Sequence, residues 1–178
     1  MTFRFLTGTV IPVPDRSVLG SLPSHHLPTC FGCGPDNDIR LGIVPTYEGD
    51  LVVAELGFHP RFEGGPGLAH GGAIAAFFDD LMGFVAMVHQ KPAVTAKLEV
   101  NYIRPILLGV TVRGEAWLSH VDGRKLSAEA VGYGPDGTIH VEVTALFLTV
   151  GIEHFTKAIE GVATPYPETA YQSDEYYP

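Results

Sequence analysis

The stretch from His70 to Gln90 constrains this chain most, because it runs without a proline from a glycine-rich loop to Lys91-Pro92. Residues ahead of a proline are biased out of helical geometry, so the stretch reads as one helix ending near Gln90. At about 1.5 Å per residue it is roughly 30 Å long, about the diameter of a small domain, and the rest of the chain has to be arranged around it. Stepping about 100° per residue from Asp79, one side holds Gly72, Ala75, Ala76, Met82, Gly83 and Ala86. Ile74, Phe77, Leu81, Phe84, Val85 and Val88 fall opposite and read as the core face. The small side lets something approach the helix backbone, with Asp79 in its middle. A helix apolar nearly all round is expected to be buried, and a buried carboxylate is costly unless paired, hydrogen-bonded or protonated. Asp79 is therefore a functional candidate, and Asp80, about 100° round on the flank, the weaker one. The pattern leaves a second reading open: Asp79 as one member of a buried ion pair on a close packing face.

With 178 residues, 46% hydrophobic and 17% charged, the chain can bury one core. It reads as an irregular arm over residues 1–28, a domain over 29–150, and a short helical turn with an extended tail over 151–178. The net charge of −9 argues against a nucleic-acid or anionic-membrane surface, so an anionic ligand would have to be met by a few local cations. No apolar run is expected to act as a membrane span, since the helix carries two adjacent aspartates. The N-terminus has no basic region, apolar stretch and cleavage site of a secretory signal, and a cytoplasmic location is expected.

The arm contains Pro12, Pro14, Pro23 and Pro28 and shows no sustained period. Cys30-Phe31-Gly32-Cys33-Gly34-Pro35-Asp36-Asn37-Asp38 follows as a turn-rich segment holding the only two cysteines. With His25 and His26 upstream a zinc site is conceivable, but there is neither a second Cys-x-x-Cys nor a downstream His pair, and no metal is expected. A redox pair would want a strand-to-helix context that the Gly/Pro/Asp run denies. Two cysteines agree with a reducing compartment, and the plain reading is a tight loop with small buried thiols.

Ile39–Val44 and Leu51–Phe58 read as the strands of a hairpin, the second with clear alternation. His59 to Ala69 then leads into the helix, and its glycines leave the backbone open. The first helical N–H groups, of Gly71, Gly72 and Ala73, have no intrahelical partner and would suit an oxygen that becomes negative. His70 stands where it can cap the helix, orient the loop or touch a ligand. After the helix, Val94, Ala96, Leu98, Val100 and Tyr102 alternate with Thr95, Lys97, Glu99 and Asn101 until Arg104-Pro105. Three further strands, over 110–119, 126–133 and 138–150, are separated by Asp122-Gly123-Arg124-Lys125 and Gly134-Pro135-Asp136-Gly137. The four are expected to form a meander. The whole reads as α+β: a curved antiparallel β-sheet wrapped around one long central helix.

Several of these pieces together resemble the hotdog-fold acyl-CoA thioesterases, in the branch of the phenylacetate-pathway and human thioesterase-superfamily members. They are His70-Gly71-Gly72 with Asp79 nine residues after the His, the strand from Val94 to Ile106, and Gly123-Arg124-Lys125. Cys30-Phe31-Gly32-Cys33-Gly34 also resembles a loop ahead of the domain in many bacterial relatives. The resemblance covers about residues 28 to 150. It implies a hotdog fold and hydrolysis of acyl-CoA thioesters, with Asp79 as general base on water or as nucleophile. The Gly71 amide would supply the oxyanion contact, with His70 nearby, and Thr95 matches a threonine that reaches the site from the facing subunit. Gly72 and Asn101 fall in the matching motifs and are assigned to substrate binding. Arg104, Arg124 and Lys125 are assigned to the phosphates or nucleotide of coenzyme A, the alternative being ordinary solvated turn charges. The resemblance also implies a homodimer or homotetramer with sites at the subunit interface. Thioester hydrolysis requires no metal or redox cofactor.

Two rivals stand beside this reading. A hotdog hydratase or dehydratase pairs a His with an acid, and His59 superficially fits, but Asp79 lies twenty positions later. A non-catalytic acyl-CoA binding module would use the same fold, although no helix-turn-helix or basic segment is present to read out binding.

Overall fold

The computed structural model describes residues 6–15, 17, 19, 22–24, 26–89, 91–151 and 153–154. Its one long helix, α1, spans Gly71–Val88. His70 fixes the start: its Nδ1 accepts the Gly72 N–H at 2.9 Å, and its carbonyl accepts the N–H groups of Ala73 and Ile74. At the far end the chain reverses before Pro92, with the Lys91 N–H donating to the Ala86 carbonyl at 3.0 Å.

Six strands make one antiparallel sheet: β1 Thr46–Glu48, β2 Leu51–Gly57, β3 Ala93–Tyr102, β4 Thr111–Asp122, β5 Lys125–Tyr133 and β6 Ile139–Thr149. The order is β1-β2-β4-β5-β6-β3, so β4-β5-β6 is a meander while β3 pairs with β6 at one edge. The expected four-strand meander is therefore corrected. Residues 103–110 are a crossing connection rather than a hairpin turn. They are tied to the loop ahead of α1 by hydrogen bonds between Ala69 N–H and the Ile106 carbonyl and between Leu108 N–H and the Gly67 carbonyl. A second correction concerns Ile39–Val44, which is not a strand. Leu41, Gly42 and Ile43 spend their N–H groups on the carbonyls of Phe31 and Gly32, and pairing with β2 begins only at Thr46.

The sheet lies close on α1. Phe77, Phe78, Leu81, Met82 and Phe84 are fully buried. Gly114 and Gly132 admit the rings: a Cβ on Gly114 would stand 2.7 Å from Phe77 Cε1, and one on Gly132 2.7 Å from Phe78 Cζ. Contrary to the sequence reading, α1 is long and apolar enough to cross a bilayer, with a mean hydropathy of 1.5. Two thirds of it is packed inside the domain, as befits a core helix. The described part of the arm lies over the sheet, where the Ile11 N–H reaches the Leu118 carbonyl at 2.7 Å and Thr7 donates to the Glu129 carboxylate. The helical turn expected from Ile152, Phe155 and Ile159, and the tail beyond it, lie outside the described residues.

β3 carries one irregularity that matters for the site. Thr95 pairs with Phe147 and Lys97 with Leu146, leaving Ala96 as an extra residue in a β-bulge. Beyond the bulge Leu98 and Val100 pack on the core and the Tyr102 hydroxyl meets the Gly71 carbonyl at 2.7 Å. Thr95 sits on that same helix-facing side, out of phase with Lys97, Glu99 and Asn101. Strict alternation along the strand predicts the opposite, placing Thr95 with them.

Candidate active site

Asp79 projects from the half-exposed side of α1, two turns in from its start, and Thr95 Oγ1 donates to its Oδ1 at 2.9 Å. The tight reversal at the end of α1 sends β3 back along the helix, and the bulge turns Thr95 inward. Thr95 therefore meets Asp79 of its own chain, which corrects the expectation that it arrives from a facing subunit. The helix wheel is right about the site's surroundings at Gly72, Ala75 and Ala76, which are exposed or half-exposed beside Asp79. It is wrong about Met82 and Ala86, which are buried.

The premise that Asp79 is buried is also corrected. The buried carboxylate is Asp80, whose side chain is 8% exposed and whose Oδ1 lies 3.0 Å from His26 Nδ1. Burial pushes the Asp80 carboxyl above its ordinary range even with His26 beside it. Gly83, part of the small face, is occupied by the same histidine: a Cβ there would stand 2.8 Å from His26 Nε2, and the ring stacks on Phe84 at 4.1 Å.

The glycine-rich loop is not open backbone. The Gly64 N–H bonds the Leu68 carbonyl, the His70 N–H bonds the Phe62 carbonyl, and the Gly67 N–H takes the Glu63 carboxylate. Of the three donors expected to be free at the helix start, Gly72 and Ala73 are taken by His70, its ring and its carbonyl respectively. Of the three, the Gly71 N–H has no partner among the described residues, and Tyr102 buttresses the same residue from its carbonyl side. Gly71 and Asp79 are eight residues apart on one helix, about 12 Å along its axis. One thioester carbonyl cannot touch both within a single chain.

The other assigned residues do not converge either. Asn101 faces away from α1, with its Nδ2 3.5 Å from Glu142 Oε2. Arg104 lies beyond the end of β3, where its guanidinium donates to the Ile139 carbonyl. Arg124 and Lys125 sit at the β4–β5 turn, against Thr149 at the opposite end of β6. Ten residues of strand separate Ile139 from Thr149, roughly 30 Å, so one chain does not gather the three cations. A cavity of about 570 Å³ opens beside Arg104, lined also by Ile106, Leu107, Val110, Val112 and His140. Its size suits a small molecule, but neither Asp79 nor Gly71 lines it.

Comparison with known proteins places this architecture. Residues 66–139 match the family model described as thioesterase superfamily. The acyl-coenzyme A thioesterase THEM4 of Mus musculus is 37% identical over 118 residues, 66% of this chain and 47% of that protein. This chain spans less than half the length of the curated relatives it matches. A solved thioesterase superfamily protein superposes with a TM-score of 0.66 at 25% identity, covering 81% of this chain and 73% of that one. A Streptococcus mutans protein crystallised with acetyl CoA superposes with a TM-score of 0.57 at 21% identity, covering 61% and 87%. The matched segment runs from the loop ahead of α1, through Asp79 and Thr95, to the start of β6, and the chain has the hotdog fold of these solved structures.

Proposed function

We propose that the protein hydrolyses acyl-CoA thioesters to the free acid and coenzyme A in the cytoplasm. The observation that carries this reading is the Thr95–Asp79 hydrogen bond on the accessible face of α1. It holds a carboxylate in one orientation where a ligand can reach it, as an activated oxygen or a general base requires. The match to acyl-coenzyme A thioesterases and the acetyl CoA held by a structural neighbour support the substrate class.

The 12 Å between Gly71 and Asp79 gives the reading its assembly. A second copy must bring its own Gly71 N–H against this chain's Asp79, so that each of two sites takes its carboxylate from one protomer and its oxyanion donor from the other. The sheet offers the means, since β3 is an edge strand and Tyr102, Ile103 and Leu107 expose apolar surface beside it. Pairing of this kind also allows Arg104 of one copy and the Arg124-Lys125 turn of the other to serve one coenzyme A.

A hydratase reading is weakened at His59, whose Nδ1 accepts the Arg61 N–H at 3.1 Å and caps the short helical turn Pro60–Phe62. The test is thiol release from a panel of acyl-CoA thioesters, run beside hydration of an enoyl-CoA and a measurement of mass in solution. Turnover of at least one thioester by a dimer or tetramer is expected. Tight acyl-CoA binding without turnover would make the domain a binding module, and hydration without thiol release would make it a hydratase.

Thr95→Val removes the hydroxyl at nearly constant volume. A hydrogen bond to a charged group is worth about 1.5–3 kcal/mol, so kcat is expected to fall about 10- to 100-fold with KM little changed. An unchanged kcat would show that Asp79 does not need this partner.

A further inference from the structure

The second aspartate of α1 belongs to a different constellation, one that thioester hydrolysis does not use. Asp80 Oδ1 lies 3.0 Å from His26 Nδ1, 3.1 Å from Cys30 Sγ and 3.6 Å from Cys33 Sγ, and Cys33 Sγ lies 3.5 Å from His26 Nδ1. All four atoms are within 4.8 Å of one another. A tetrahedral zinc ion with bonds of about 2.0–2.3 Å to sulfur, nitrogen and oxygen holds its ligand atoms roughly 3.3–3.8 Å apart. We propose that His26, Cys30, Cys33 and Asp80 form a closed four-ligand site for a zinc ion, which fastens the N-terminal arm and the Cys-x-x-Cys turn to the middle of α1.

Three further observations favour a cation over a cluster of thiols. Asp80 Oδ2 is buried and has no hydrogen-bond partner among the described residues, a costly state for a carboxylate that carries charge. The backbone is shaped to bring the ligands in. A Cβ on Gly32 would stand 2.2 Å from Asp80 Cγ and one on Gly34 2.3 Å from the Cys30 nitrogen, so both positions require glycine for space. The His26 N–H, finally, points at Cys33 Sγ at 3.1 Å, the kind of outer contact that stabilises a metal-bound thiolate. Two soft sulfurs with one imidazole and one carboxylate select zinc over magnesium or calcium. All four positions are filled by protein, so the site holds structure together and leaves no place for a substrate or an activated water. On binding, each thiol gives up its proton to solvent as its Zn–S bond forms.

With neither a second Cys-x-x-Cys nor a downstream His pair, the segment alone gives no reason to expect zinc. The ligand that completes the set, Asp80, stands 47 residues after Cys33, inside the helix. His25, the other upstream histidine, lies outside the described residues.

The test uses the full chain, freed of any affinity tag and purified under reducing conditions without chelator. Elemental analysis is expected to find one zinc per chain, falling at least about 10-fold in Cys30→Ser and in Cys33→Ser. Should those variants fail to fold, the wild type still decides. With zinc stripped and Co2+ added, it is expected to show tetrahedral d–d bands and a thiolate-to-metal charge-transfer band, which only Cys30 and Cys33 can supply because the chain has two cysteines. Asp80→Asn is expected to keep the charge-transfer band and bind Co2+ at least about 10-fold more weakly. Zinc that persists in both serine variants, a Cys30–Cys33 disulfide in the reduced preparation, or a wild type that gives no charge-transfer band with Co2+ would each overturn the proposal.

Discussion

Asp79→Asn is expected to lower kcat for thiol release by about 10²–10⁴-fold, the range for removing a positioned acid–base group. The amide keeps the shape of the carboxylate and can still accept the Thr95 hydroxyl, but it can neither take a proton from water nor attack the thioester carbon. Asp79 is half-buried and its recorded side-chain partner is that one hydroxyl, so stability should change by no more than about 0.5 kcal/mol. Steady-state kinetics on the best thioester of the panel, beside a thermal melt, separates the two effects. A folded Asp79→Asn protein that keeps a tenth of the wild-type kcat would remove Asp79 from the chemistry. The neighbouring Asp80→Asn provides the contrast, since its expected signature is in metal affinity.

Phe77→Ala is expected to cost about 3–5 kcal/mol, the usual range for emptying an aromatic site in a core. Phe77 is wholly buried, meets Phe58 and Phe78 edge to face at 6.0 and 4.9 Å, and lies against the bare backbone of Gly114. The cavity left behind cannot collapse easily, because β4 is held by strands on both sides and α1 by its whole buried face. At about 2–4 °C per kcal/mol for a chain of this size, Tm should drop by roughly 6–20 °C. Urea unfolding of the two proteins measures the difference directly. A loss under about 1 kcal/mol would mean that the helix does not pack on β4 as described.

Much of the fold was legible in the chain. The helix from the glycine-rich loop to Pro92, the core face through Phe77, Leu81 and Phe84, and the strands around Asp122-Gly123 and Asp136-Gly137 all follow from local period and turn chemistry. Strand order was not legible, since whether residues 103–110 turn back or cross over depends on long-range hydrogen bonds at Ala69 and Gly67. Helical period puts Asp79 on the small-residue face, where the structure has it, but the buried carboxylate is Asp80. Helical period tells which direction a residue points and cannot tell what comes to cover it, and here the cover is His26 with two cysteines from a segment about fifty residues earlier. Arg104, Arg124 and Lys125 show a related limit. Their assignment drew on resemblance and charge alone, and neither fixes which end of a sheet a turn occupies.

The bulge at Ala96 bears on how relatives of this domain are compared. An alignment assumes that equal positions in a strand face equal ways, and one added residue reverses that for everything on its far side. In a relative whose edge strand is regular, the residue written beneath Thr95 looks outward, and a hydroxyl able to reach the helix carboxylate stands one column away. Column-by-column agreement at this threonine is therefore a poor guide to shared chemistry, and a mismatch there is equally poor evidence of its loss.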